Sequence, residues 1–84
     1  MYEYEIVRKE KRQFDTFEEA LSDMTTAFKS YKKRNDVRIL STITNTDNGK
    51  RQTFRYVDGK YKALEEAFEG DYTYNENFSG KDLI

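Results

Sequence analysis

Apolar and polar residues alternate from the start of the chain. Tyr2, Tyr4 and Ile6 fall on one side, Glu3 and Glu5 on the other. A period of two predicts a strand from Tyr2 to about Val7 with one buried face. From Arg8 to Gln13 both faces are charged or polar. That pattern predicts either an edge strand running beyond the sheet or a loop, because charge on both faces keeps an edge from pairing with other chains. The period then changes. Phe17, Ala20, Leu21, Met24, Ala27, Phe28 and Tyr31 recur at spacings of three and four, an apolar stripe that predicts an amphipathic helix from about Phe17 to Lys33. Thr16 to Glu19 reads as a capping box, in which the Thr16 hydroxyl accepts from the Glu19 N–H and the Glu19 carboxylate reaches back to the Thr16 N–H. Acids come early (Glu18, Glu19, Asp23) and bases late (Lys29, Lys32, Lys33, Arg34), as the helix dipole favours.

Two turn signals follow. Asn48-Gly49 suits a two-residue type I′ turn, which needs positive φ at both positions. That turn would set Asp47 opposite Lys50, Thr44 opposite Thr53, Ile43 opposite Phe54, Thr42 opposite Arg55 and Ser41 opposite Tyr56, a set of favourable cross-strand pairs. Asp58-Gly59 repeats the signal and would pair Tyr56 with Tyr61, Arg55 with Lys62 and Phe54 with Ala63. Residues 60–69 fit two descriptions, a strand from Lys60 to about Leu64 or a short helix with Tyr61, Leu64 and Phe68 on one side. The predicted fold class is α+β: a small single domain of β-α-β-β(-β) order, one amphipathic helix packed on an antiparallel sheet, and an acidic aromatic C-terminal segment. The helix should cover Val37, Ile39, Ile43, Phe54, Tyr56 and Tyr61. The opposite face, with Arg38, Leu40, Thr42, Thr44, Thr53, Arg55, Val57 and Lys62, can stay wet, as antiparallel sheets allow.

Composition thins the expected core. Leu, Ile, Val and Phe make 17 of 84 residues, so seven Tyr and six Phe must supply much of the buried area. A homodimer interface would be one way to complete such a core. The net charge of −1 conceals a division. Residues 1–62 carry a surplus of +4 and residues 63–84 a surplus of −5. The expected organisation is an α+β domain, 1–70, followed by an acidic, aromatic strand or tail, 71–84. The first residues lack the apolar core of a leader, and no stretch approaches about 18 apolar residues. The expectation is a cytoplasmic protein with no membrane contact.

Neither His nor Cys occurs, which removes imidazole bases, thiol nucleophiles and the commonest ligands of transition metals. The sequence Asn45 to Gly49 faintly suggests a calcium loop but lacks the downstream Glu. No Gly-rich phosphate loop is present. We therefore expect no catalytic residues, no metal and no cofactor. For nucleic acid, Lys29, Lys32, Lys33, Arg34 and Arg38, with Arg51 and Arg55 on a sheet stripe beside Lys60 and Lys62, form a candidate basic surface. The stretch Lys50 to Val57 has aromatics at strand spacing but lacks the Gly positions of an RNA-recognition strand, and a pI near 5.5 opposes strong general binding. For a protein partner, Asp71, Tyr72, Tyr74, Glu76 and Phe78 combine rings with acids. Tyr is a favoured interface residue, and acids steer association with a basic, nucleic-acid-binding partner. The same residues also fit a final edge strand.

In size, in a composition rich in Lys, Asn and Tyr, and in its lack of catalytic residues, the chain resembles the short proteins of phages and mobile elements of AT-rich bacteria. The resemblance is one of composition and has no motif behind it. It implies a non-enzymatic inhibitor or adaptor that occludes or redirects a host machine, for example a defence nuclease. The alternative is a small nucleic-acid-binding regulator using the bases of the first 62 residues.

Overall fold

A computed structural model gives the fold and describes residues 1–6, 11–29, 40–66 and 71–84. Its strands are β1 (Tyr2–Ile6), β2 (Lys11–Phe14), β3 (Leu40–Asn45), β4 (Arg51–Val57), β5 (Lys60–Glu66) and β6 (Tyr72–Tyr74). One helix, α1 (Phe17–Lys29), follows β2, and a 3₁₀ turn spans Gly80–Leu83. All six strands form one antiparallel sheet in the order β2-β1-β3-β4-β5-β6. The protein is thus an α+β domain with one helix on one face of its sheet. No helix among the described residues is long and apolar enough to cross a membrane.

Alternation chose the inner face as expected. Tyr4, Ile6, Ile43, Phe54 and Ala63 point inward and are buried against Phe17, Ala20, Met24 and Phe28 of α1. The Tyr4 hydroxyl escapes an unsatisfied burial by donating to Asp23 Oδ2 on the helix, at 2.6 Å. The capping box forms in altered shape. Glu19 N–H donates to Thr16 Oγ1 at 3.2 Å, but the Glu19 carboxylate accepts from the Thr16 hydroxyl at 3.0 Å instead of reaching the Thr16 N–H. The predicted helix beyond Lys29, and with it Tyr31, Val37 and Ile39, lies outside the described residues.

The charged stretch before the helix resolves into a strand. Lys11–Phe14 is a separate strand that pairs antiparallel with β1 and forms one edge of the sheet, an edge as expected but within the sheet instead of running beyond it. Residues 60–66 are a strand, with Tyr56↔Tyr61, Arg55↔Lys62 and Phe54↔Ala63 in the register read from Asp58-Gly59. Both turn residues have positive φ, 53° and 85°, as type I′ requires.

The first hairpin departs from expectation by two residues. The pairs are Leu40↔Arg55, Ser41↔Phe54, Thr42↔Thr53, Ile43↔Gln52 and Thr44↔Arg51. Gly49 has φ +77°, but Asn48 stays at negative φ, so no type I′ turn forms there. Instead a four-residue loop, 46–49, closes with Gly49 N–H donating to the Asn45 carbonyl and Asn45 N–H to the Lys50 carbonyl, each at 2.8 Å. Two side-chain turns stiffen it, Asp47 N–H to Asn45 Oδ1 and Lys50 N–H to Asn48 Oδ1. A shift of two leaves every side chain on its original face. Alternation therefore cannot tell the two registers apart, and loop chemistry decides.

The backbone of α1 lies over β1, β2 and β3. The other half of the inner face is roofed by the end of the chain. After β6 the chain turns at Glu76-Asn77, sends Phe78 against Phe17 and Phe54, and buries Leu83. The Asn45 side-chain amide, buried at the end of β3, donates to the Leu83 carbonyl at 2.8 Å, and Asn48 donates to the same oxygen. Residues 71–84 thus belong to the core of the domain as well as to its edge.

Candidate functional site

The site is built from β5, whose free edge is only half covered. In a two-residue hairpin the pair flanking the turn exchanges both hydrogen bonds, and the next pair exchanges none. Lys60 and Val57 flank the turn, so Tyr61 and Ala63 aim their main-chain groups away from β4. The Ala63 carbonyl is satisfied there, accepting from Asn75 N–H at 2.9 Å. β6 pairs only with Leu64, Glu65 and Glu66. The chain then turns inward, and no main-chain partner for Tyr61 stands on that side among the described residues.

A cleft of about 240 Å³ opens beside this free stretch. Phe17 and Leu21 of the helix, Phe54 and Ala63 of the sheet, and Phe78 make its apolar walls, and Lys60, Lys62 and Glu76 stand at its polar margin. The volume falls below the roughly 300–1,000 Å³ of small-molecule sites and suits a single inserted side chain. Tyr61 is held rigidly at the cleft. Its ring packs on Phe28, Phe54 and Tyr56 with centroids 5.6, 6.3 and 5.2 Å away, and its hydroxyl shares a 3.1 Å hydrogen bond with buried Ser41.

Burial pushes the Tyr61 hydroxyl up to about 12, against the lowering effect of the Ser41 hydrogen bond, with Tyr56 and Tyr4 adding to the rise. The folded state therefore favours the neutral phenol. This contribution to stability is complete below the ordinary value of about 10 and is lost as pH rises toward about 12. An ultraviolet titration should include a phenol ionising near 12, accompanied by loss of stability between those values. Tyr61→Phe should remove that late component and flatten the alkaline decline.

The predicted partner-binding residues divide. Tyr72 and Tyr74 keep 43% and 41% of their surface exposed on β6, the last strand of the sheet, and Asp71 and Glu76 flank them exposed. Phe78 is half-buried and turns inward to form a wall of the cleft. The strand stops at Tyr74, so the reading of Tyr72, Tyr74, Glu76 and Phe78 as one alternating face fails at the turn, and Phe78 faces Phe17 and Phe54 at 5.7 and 5.5 Å. Of the predicted basic surface, Lys29 is exposed at the helix end, and Arg51 and Arg55 stand on the sheet face away from the helix. Lys32, Lys33, Arg34 and Arg38 lie outside the described residues. The two basic groups are thus not shown to meet. No cluster of three or more metal-ligating side chains occurs among the described residues.

Sequence reasoning missed the free half of β5 and the cleft. Their signal was faint: the spacing from the Asp58-Gly59 turn to Tyr61, and the shortness of the strand that could cover it. No protein-family model matches the chain, and comparison with curated proteins and with solved structures gives no match.

Proposed function

We propose that this is a non-enzymatic binding protein that occludes a protein partner by taking an extended segment of it along the free edge of β5. One observation carries the reading: the Tyr61 main chain, with no partner on its outer side among the described residues, lies directly beside a cleft with apolar walls and a polar margin, sized for one side chain. Strand addition draws affinity from main-chain hydrogen bonds and specificity from pockets for alternate side chains, and both are present within four residues. The exposed Tyr72 and Tyr74 extend the contact surface, and Asp71 and Glu76 favour a segment that also carries bases. The lack of His and Cys in the sequence supports a role without catalysis. The narrower reading, an inhibitor or adaptor of a host defence nuclease, is supported by the compositional resemblance to phage and mobile-element proteins.

The test is selection of binders from a displayed peptide library, followed by calorimetry. Selected peptides should be extended, with an apolar residue at one fixed position. Leu21→Trp, which fills the cleft from the helix side, should abolish their binding, and Lys11→Gln on the opposite edge should not. Amide exchange at Tyr61 should slow about tenfold or more when peptide binds. Peptides that bind Leu21→Trp as well as they bind the parent, or leave Tyr61 exchange unchanged, would overturn the proposal.

A further inference from the structure

The outer face of the sheet, opposite the helix, meets the cleft at Lys60, Lys62 and Tyr74 and extends from there across the strands. The register defines it. One row crosses all six strands as Lys11, Glu5, Thr42, Thr53, Leu64 and Tyr74. The adjacent row holds Leu40, Arg55 and Lys62, while Arg51 lies across from Thr44 and Lys60 from Val57. Four cations, Arg51, Arg55, Lys60 and Lys62, therefore gather on β4 and β5. By register Glu66 also belongs to this face, on β5 across from Tyr72, whereas Glu3 and Glu5 stand on β1. They face β2, where Gln13 donates to Glu3 at 3.0 Å and Lys11 lies opposite Glu5.

None of the four cations forms a salt bridge among the described residues. Arg55 sits directly across from Lys62, an arrangement that destabilises a sheet. Arg55 Nε is buried and lacks a hydrogen-bond partner, which adds a further cost in the free protein. An anion laid across this face would relieve both.

Aromatic surface adjoins the charge. Tyr74 pairs with Leu64 and Tyr72 with Glu66, so both rings belong to the outer face. Both are exposed, and Lys62 Nζ stands 5.3 Å from the Tyr74 ring centroid. Cations for phosphates beside exposed rings for bases is the chemistry that holds unpaired strands. A duplex would need an element that enters a groove, and no helix or hairpin projects from this face among the described residues. An acidic protein would use the cations but gain less from two rings set along one strand.

We propose that the outer face of the sheet binds a single-stranded nucleic acid, its phosphates on Arg51, Arg55, Lys60 and Lys62 and its bases stacked on Tyr74 and Tyr72. The residues of the first 62 supply the cations, and the acidic segment supplies the rings.

The test is fluorescence anisotropy with labelled oligo(dT) and oligo(U) of about 10 nucleotides and a duplex of equal length, at about 50 mM salt. Both single strands should bind in the micromolar range, with affinity falling as salt rises, and the duplex should bind at least about tenfold more weakly. Lys62→Glu turns the like-charged pair with Arg55 into an opposite-charged one, so the variant should melt at or above the parent temperature. Its oligonucleotide affinity should nevertheless fall about tenfold or more. Tyr74→Ala should lose about fivefold or more with the salt slope unchanged. Leu21→Trp should bind as the parent does, which separates this face from the cleft. No oligonucleotide binding, equal binding of the duplex, or parental affinity in both Lys62→Glu and Tyr74→Ala would overturn the proposal. The first of these outcomes, together with capture of an acidic peptide, would reassign the face to a protein.

Discussion

Leu83→Ala is expected to lower stability by about 2–5 kcal/mol, although it changes the second residue from the end of the sequence. Leu83 is 2% exposed and belongs to the same cluster as Phe17, Ile43 and Phe54. The truncation leaves a cavity, because its neighbours are held by the sheet and the helix and cannot collapse inward. A second effect adds to the first. The Leu83 carbonyl takes both the Asn45 and the Asn48 amide. Loosening the 3₁₀ turn would leave Asn45, 6% exposed at the end of β3, without its acceptor. A domain of this length has a total stability of roughly 4–13 kcal/mol, so the change can consume much of it. Thermal unfolding by circular dichroism should shift down by about 10 °C or more. Deletion of residues 79–84 should be more damaging still. A melt within about 2 °C of the parent for Leu83→Ala would show that the C-terminal segment is a tail and not part of the core.

Phe54→Ala should cost about 3–5 kcal/mol and should also destroy the cleft. Phe54 is the hub between the two halves of the fold. Its ring meets Phe17 of the helix at 6.3 Å, Tyr61 of the neighbouring strand at 6.3 Å and Phe78 of the returning segment at 5.5 Å. The edge-to-face contacts with Tyr61 and Phe78 add about 0.5–1.5 kcal/mol each beyond burial. Removing the hub uncouples the helix-covered half of the sheet from the half roofed by the C-terminus. Denaturant unfolding should show a lower midpoint. Peptide binding should be lost even under conditions where the variant remains folded, because the floor of the cleft is gone. Phe54→Leu, which keeps most of the volume, should recover most of the stability and part of the binding. A folded Phe54→Ala with undiminished peptide affinity would place the side-chain pocket elsewhere.

The candidate site shows where sequence reasoning reached its limit. Tyr72 and Tyr74 could be singled out from composition, and the structure leaves them exposed. Phe78 looked like their neighbour on one face, yet it turns inward because the chain leaves the sheet after Tyr74. Arg55 and Lys62 were legible as a like-charged pair from the Asp58-Gly59 turn, whose two residues fix the strand register. The cleft was only faintly legible. It exists because β6 is three residues long, and nothing local to β5 encodes how far a strand placed later in the sequence will cover it.

The sequence by itself determined the periodic elements: the inward face of each strand, the start of the helix at Thr16-Phe17, and the second hairpin. In each case the information lies within a few residues, in side-chain alternation, a cap or a turn requiring positive φ. The register of the first hairpin, the packing of the C-terminal segment and the half-open edge of β5 were decided only by the tertiary structure. A two-residue shift preserves alternation, and what separates the registers is a loop whose Asn45 and Asn48 are held by a carbonyl more than 30 residues away. Contacts between residues so far apart in sequence leave no periodic trace in either segment.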